Sequence, residues 1–178
     1  MRVRQVVCLA VATAAIAGLV MKGSHAQEVS SADESFMKNA AQAGHYEIEA
    51  ARLSLELASN PNVKAFAQMM LDEHRQIASE LSALAQSKGV ELPDRPSLMQ
   101  RGKLTLLKGK KGREFDKDYA ERAAVTAHED TIKLFDKYLT EGRDKEVMGF
   151  AQDALPMLQQ HLRHAHVLQE AMQGEVAR

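Results

Sequence analysis

Three histidines and one glutamate stand where the hydrophobic pattern of this sequence calls for apolar side chains. His74 interrupts a stripe of Val63, Phe66, Ala67, Met70, Ile77, Leu81 and Leu84 at helical spacing. His161 falls near the centre of a second stripe, formed by Val147, Phe150, Ala154, Leu158, Ala165, Leu168 and Met172. His128 shares a face with Val125, Ile132, Phe135 and Leu139, and Glu47 stands at the edge of a face made by Met37, Ala40, Gly44, Ile48, Ala51 and Leu55. Three imidazoles and one carboxylate suit a single divalent transition metal: Zn, Cu, Fe, Ni or Mn. The same four groups could equally satisfy one another as a buried hydrogen-bond network. Both readings are open on the residues alone. His45, His164 and His166 fall at the edge or outside of their faces, and Met70, Met157 and Met172 have the spacing of core gap-fillers rather than of copper ligands.

Positioning these four residues requires four helices, and the sequence supplies four long periodic segments and no strand-like alternation. The first spans about residues 31–58, with Ser31 and Glu34 in a capping-box pattern. The second starts at Asn60-Pro61 and ends near Lys88, before Gly89. The third spans about 114–140 and stops at Gly142; the fourth starts after Asp144 and reaches about Met172. Short breaks make hairpins of the first and last pairs. Residues 89–113 form a long link between the pairs. One long crossover is the mark of ferritin-like bundles, so the expected fold is all-α, an antiparallel four-helix bundle with a crossover between its second and third helices. Counted from the helix ends, Glu47, His74, His128 and His161 fall within roughly 5 Å of one height along the bundle axis.

The remaining sequence sets the compartment and the surface. Arg2 and Arg4 precede an apolar run, Val6 to Val20, that is short for a membrane span. Ser24 and Ala26 carry small residues where signal peptidase needs them, so residues 1–26 read as a signal peptide and 27–178 as one mature domain. That predicts an exported protein, periplasmic in a Gram-negative host. The one cysteine, Cys8, lies inside the leader, which removes disulfides and thiolate chemistry from the mature chain. Loss of Arg2, Arg4 and Lys22 takes three positive charges from a net of −1, leaving an acidic mature chain. The crossover is basic: Arg95, Arg101, Lys103, Lys108, Lys110, Lys111 and Arg113 run without an acid between them. This stretch either solvates against the acidic body or meets an anionic envelope surface, lipid or polysaccharide. It lacks the aromatics of a nucleic-acid platform, and no nucleic acid partner is expected.

Two structural expectations follow. Pro156 should bend or loosen the fourth helix, because it removes the bond to the Gln152 carbonyl. Tyr46, Leu53, Leu57, Phe115 and Tyr119 diverge from the main stripes, so a second buried face is expected. Its cover is either the crossover, through Leu98, Leu104, Leu106 and Leu107, or a homodimer contact.

The run Phe66-Ala67-Gln68-Met69-Met70-Leu71-Asp72-Glu73-His74 resembles the second helix of an exported bacterial family known as domain of unknown function 4142. Phe115-Asp116 with Tyr119, His128 and Phe135 is similar to that family's third helix, and Phe150-Ala151, Leu155-Pro156 and His161 to its fourth. The likeness runs from about Phe36 to Met172 and implies a ferritin-like bundle without implying an activity. A di-iron centre does not fit, since it needs a Glu three residues before each of two ligating histidines, and Leu71 and Leu158 occupy those positions. Any metal should therefore be single. The leading functional expectation is a non-enzymatic bundle that holds one metal through Glu47, His74, His128 and His161 in envelope homeostasis. The alternatives are a mononuclear metalloenzyme, and a structural or interaction bundle whose Glu/His set is only a hydrogen-bond network. No Ser-His-Asp order, phosphate loop or zinc-protease motif suggests ordinary hydrolase chemistry.

Overall fold

A computed structural model of the chain describes residues 29–174, which are helical, with no strand among them. The expected signal peptide lies outside the described residues. Helix α1 covers Ser31–Leu57. Its capping box uses Ser30 and Asp33 rather than the expected Ser31 and Glu34. The one-residue shift has a cause: Asp33 reaches back to the Ser30 amide at 3.2 Å while also serving groups from the other end of the chain. Helix α2 covers Pro61–Ser87, with the Asn60 side chain accepting from the Asn62 amide and Gly89 beyond its end at φ 68°.

The crossover is not a plain link. It contains helix α3, Leu98–Lys108, opened by a second capping box between Ser97 and Gln100. The expected third helix is continuous but has three parts: α4 (Gly112–Asp118), a π-helical stretch (Tyr119–Thr126) and α5 (Ala127–Glu141). The π stretch explains the apparently divergent face. On an unbroken α-helix Tyr119 and His128 would lie about 180° apart. The wider π turns, with the Ala127 amide bonded to the Arg122 carbonyl, rotate the phase back by about 100°. Phe115 and Tyr119 therefore join the same interior as His128, Phe135 and Tyr138.

Helix α6 covers Lys145–Gly174, and its first turn is capped by Asp144, which accepts from the Glu146 and Val147 amides. It runs through Pro156 without interruption. Pro156 is solvent-exposed, so the carbonyl it leaves unbonded can turn to water. Helix α1 packs on α2 and α5, α6 packs on α2, α5 and the π stretch, and α3 lies across α1. Leu104 and Leu107 of α3 are buried over the side of α1 that carries Tyr46, Leu53 and Leu57, as the crossover lid required; Leu98 and Leu106 point outward instead.

The apolar interior falls into two clusters. One gathers Val63, Phe66, Met70, Phe115, Tyr119 and Leu168; the other gathers Phe36, Met37, Leu81, Phe135, Val147 and Leu158. Burial of a side chain of this size stabilises by about 1.5–3 kcal/mol, and these clusters supply the drive to fold. Along α2, the α4–α5 helix and α6 the change from one cluster to the other brackets a polar residue, His74, His128 with Thr131, and His161, and on α1 Glu47 follows one residue after the change at Tyr46. A polar plate thus crosses the middle of an otherwise apolar core.

Candidate metal centre

Helical periodicity turns each of the four residues inward, and all four are almost fully enclosed. The three imidazoles form a near-equilateral triangle, with ring centroids 5.3 Å apart for His74 and His128, 5.0 Å for His74 and His161, and 5.3 Å for His128 and His161. One ring nitrogen from each lies within 4.8 Å of the others. His74 Nε2 and His128 Nε2 are 3.2 Å apart.

The opposite nitrogens are held from behind. His128 Nδ1 donates to the Ala124 carbonyl at 2.7 Å, on the π stretch. His161 Nε2 donates to Glu73 Oε2 at 2.5 Å. His74 Nδ1 lies 3.2 Å from Glu47 Oε2. Glu47 itself accepts from Thr131 Oγ1 at 3.3 Å, and its other contact is the 3.9 Å approach of His128 Nδ1. The four residues singled out in the sequence thus come together, with Glu47 behind His74 rather than among the converging nitrogens. Glu73, which the sequence places at the flank of its stripe, orients His161.

Hydrogen-bond logic fixes the proton positions. The Ala124 carbonyl can only accept, so His128 carries its proton on Nδ1 and a lone pair on Nε2. His74 Nε2 must then donate to it, and in the neutral ring His74 Nδ1 carries a lone pair, 3.2 Å from Glu47 Oε2. A protonated Glu47 can donate to that lone pair. Burial drives Glu47 to this state, raising its pKa to about 8 against a small opposing effect of Thr131. Burial also keeps the imidazoles neutral: it lowers His74 well below the usual histidine range and His128 to about 4, and lowers His161 against the pull of Glu73. The result is one directed chain, from Glu47 through His74 and His128 to the Ala124 carbonyl. His161 stands outside it. With Nε2 committed to Glu73, its buried Nδ1 has no hydrogen-bond partner among the described residues.

These groups can be tested against a metal. Two nitrogens bound to one tetrahedral ion at about 2.0–2.1 Å stand about 3.3 Å apart. The His74–His128 spacing of 3.2 Å matches, and the triad closes after a movement of about 1.5 Å at most. Metal-ligating histidines usually donate their other N–H to a carboxylate or carbonyl, and each of these three has such a group behind it. A cavity of about 270 Å³ reaches Glu47 and His74 from the side, past Gly44, Ala78 and the segment Leu92–Asp94.

The fold is shared with a solved structure. A fragment of a DUF305 protein from Deinococcus radiodurans superposes with a TM-score of 0.69 over 79% of this chain and 97% of that one, at 15% identity. The family described as domain of unknown function DUF4142 matches residues 19–168, and the chain belongs to it. No protein with a curated description matches the chain.

Proposed function

We propose that this chain is an exported metal-binding protein of ferritin-like, four-helix design, which holds one divalent transition ion through His74, His128 and His161. The observation that carries this reading is the unpartnered, buried Nδ1 of His161 beside two imidazoles that already face each other. A finished hydrogen-bond network leaves no such orphan, because an unsatisfied buried polar atom costs about 1–3 kcal/mol. The all-nitrogen donor set suits Zn, Cu, Fe, Ni or Mn. Glu47 and Glu73 act as orienting carboxylates. Export, to the periplasm in a Gram-negative host, rests on the basic, apolar and small-residue order of residues 1–26.

Binding would move protons in a definite way. The ion takes the place of the proton on His74 Nε2, and the Glu47 proton passes to His74 Nδ1. One proton would leave per ion bound between about pH 6.5 and 8, where the imidazoles are neutral and Glu47 is protonated. Calorimetric titration with Zn or Ni in buffers of different ionisation enthalpy measures this number. About one proton per ion, lost in His128→Ala, supports the site. Heat that is unchanged in His128→Ala refers binding to the exposed His164 and His166 instead.

A mononuclear metalloenzyme is the second reading, favoured by the side cavity. It would give an ion an open position and an entry path for a small substrate past Leu92 and Pro93. Filling it with Gly44→Leu should then block turnover without loss of metal.

A further inference from the structure

The large apolar side chains left exposed among the described residues are concentrated on one short helix. Leu98, Met99 and Leu106 of α3 are 79%, 75% and 69% exposed. At about 100° per residue they share an arc of roughly 100°, on the side away from the buried Leu104 and Leu107. Helix α3 therefore has two apolar faces, one docked on α1 and one bare. Charge lines both flanks of the bare face. Arg101 and Lys108 lie on one side and Lys103 on the other, with Lys111 and Arg113 just beyond the helix, all solvent-exposed. Lys110 is committed to Glu114 and Asp118, whereas these five make no ion pair among the described residues.

We propose that the outer face of α3 is an interfacial anchor for anionic phospholipid. A helix lying in the headgroup plane needs an apolar stripe that enters by about 5–10 Å and basic side chains that stay at the phosphates. Helix α3 has both, and no helix among the described residues is long and apolar enough to cross a membrane. A second copy of the chain fits less well. A two-fold contact lays a patch on itself, which would bring the same five cations against one another. An anionic polysaccharide would engage the charges but leave Leu98, Met99 and Leu106 in water.

The chain contains no tryptophan, so a single introduced indole reports its own depth. Leu106→Trp is the probe, Met99→Trp a second, and Val167→Trp, on an exposed position of α6, the control. The full chain is mixed with vesicles of phosphatidylglycerol and phosphatidylethanolamine, with vesicles of phosphatidylcholine, or with dextran sulfate. The proposal expects blue-shifted emission at residues 106 and 99, quenched by brominated acyl chains, in the anionic vesicles only. The shift should fade in about 0.5 M salt. Replacing Arg101, Lys103 and Lys108 by Gln should weaken partitioning on the order of a hundredfold. Because the probe reads α3 itself, insertion of residues 6–20 would not imitate the result. Unshifted emission at residues 106 and 99 with anionic vesicles overturns the proposal. So does an equal shift at residue 167, or a blue shift without lipid that grows with protein concentration, which would mark a second copy as the cover.

Discussion

Helix α1 carries two enclosed carboxylates, Asp33 and Glu47, and the fold drives them in opposite directions. Asp33 is 1% exposed and Glu47 4%. Asp33 nevertheless stays well below the usual carboxylate range, while Glu47 rises to about 8. Burial disfavours the charge in both. The difference lies in the donors. Asp33 accepts from Ser30 Oγ and Ser30 N, from Tyr138 Oη at 2.6 Å, and from the amides of Arg143 and Asp144 at 3.0 and 3.2 Å. Glu47 accepts from Thr131 alone among the described residues. Five donors outweigh desolvation, and one weak one does not. A buried acid so provided for ties the chain together; one left short of donors is free to exchange a proton.

The geometry around Asp33 fits the first role. Phe36 stacks on Tyr138 at 3.9 Å and aims its hydroxyl at the carboxylate. Gly142 lets the α5–α6 turn pass close to the Tyr138 ring, where a Cβ would meet it at 2.7 Å. Asp144 caps α6 and holds Lys88 from the end of α2 at 2.7 Å. At the opposite end Asp116 accepts from the Ser59 hydroxyl and from the amides of Ser59 and Asn60 at 3.0 and 2.9 Å. Carboxylates with full donor sets thus fasten both ends, and the underprovided one sits between them.

The comparison breaks first at Asp33. Asp33→Ala leaves the Tyr138 hydroxyl and two turn amides unsatisfied together, and the expected loss is about 4 kcal/mol. Urea unfolding measures it, and a loss under 1 kcal/mol would mean that the turn finds other partners. His128→Ala should cost less, about 1–3 kcal/mol in chelator, because it orphans His74 Nε2 and the Ala124 carbonyl. It should also abolish any rise in melting temperature on adding Zn or Ni. If the plate were only a network, wild type and mutant would respond alike to metal and to chelator.

The pH dependence sharpens the contrast. For Glu47 the folded value is raised from 4.5 to about 8. The folded state then holds a proton that the unfolded state has lost, and metal-free stability falls as pH rises through this window. The histidines have the opposite sign. With folded values below 6.5, and His128 near 4, stability is lost as pH falls from 6.5 toward 4. Between pH 6.5 and 8 Glu47 lowers metal-free stability by up to about 2 kcal/mol, partly offset as the unfolded histidines finish losing their protons, so the net decline is smaller and is read against Glu47→Gln. Asp33 contributes nothing in that range, because it is ionised in both states above pH 5. Melts in chelator at pH 6.5 and 8 test the limb.

Much of this was legible in the sequence, for physical reasons that also mark where reading stops. A histidine inside a 3.6-residue apolar stripe must point inward, so His74, His128 and His161 could be placed together from spacing alone. Glu47 was legible as inward but not as standing behind His74, since its reach depends on the packing of α1 against α2. Asp33 gave no signal as a hub, because three of its five donors lie more than 100 residues away and two of those are backbone amides. The π stretch was hidden because a one-residue change of phase looks, in sequence, like a second apolar face. Helix α3 was missed as an element since its bare leucines obscure the period of the buried ones.

The smallest expected effect on stability separates the roles most cleanly. Glu47→Gln keeps the size of the side chain, and its amide can donate to His74 Nδ1 as the protonated acid does. The directed chain through His74 and His128 survives, so metal-free stability near pH 4.5, below the range in which the wild-type acid loses stability, should change by less than about 0.5 kcal/mol. The amide has no proton to pass on, however, and cannot become the carboxylate that orients a metal-bound imidazole. Affinity for Zn or Ni should fall about 10–100-fold, as expected when a histidine loses its carboxylate partner. The decline in stability between pH 6.5 and 8 should vanish with it, since no acid remains to titrate. Asp33→Asn, the same chemical change fourteen residues earlier on the helix, should do the reverse. It should cost about 2 kcal/mol, because its amide hydrogens face donors where five hydrogen bonds had converged, and it should leave metal affinity untouched. If both substitutions destabilise equally and neither moves metal affinity, the two carboxylates do the same work and the contrast between them is lost.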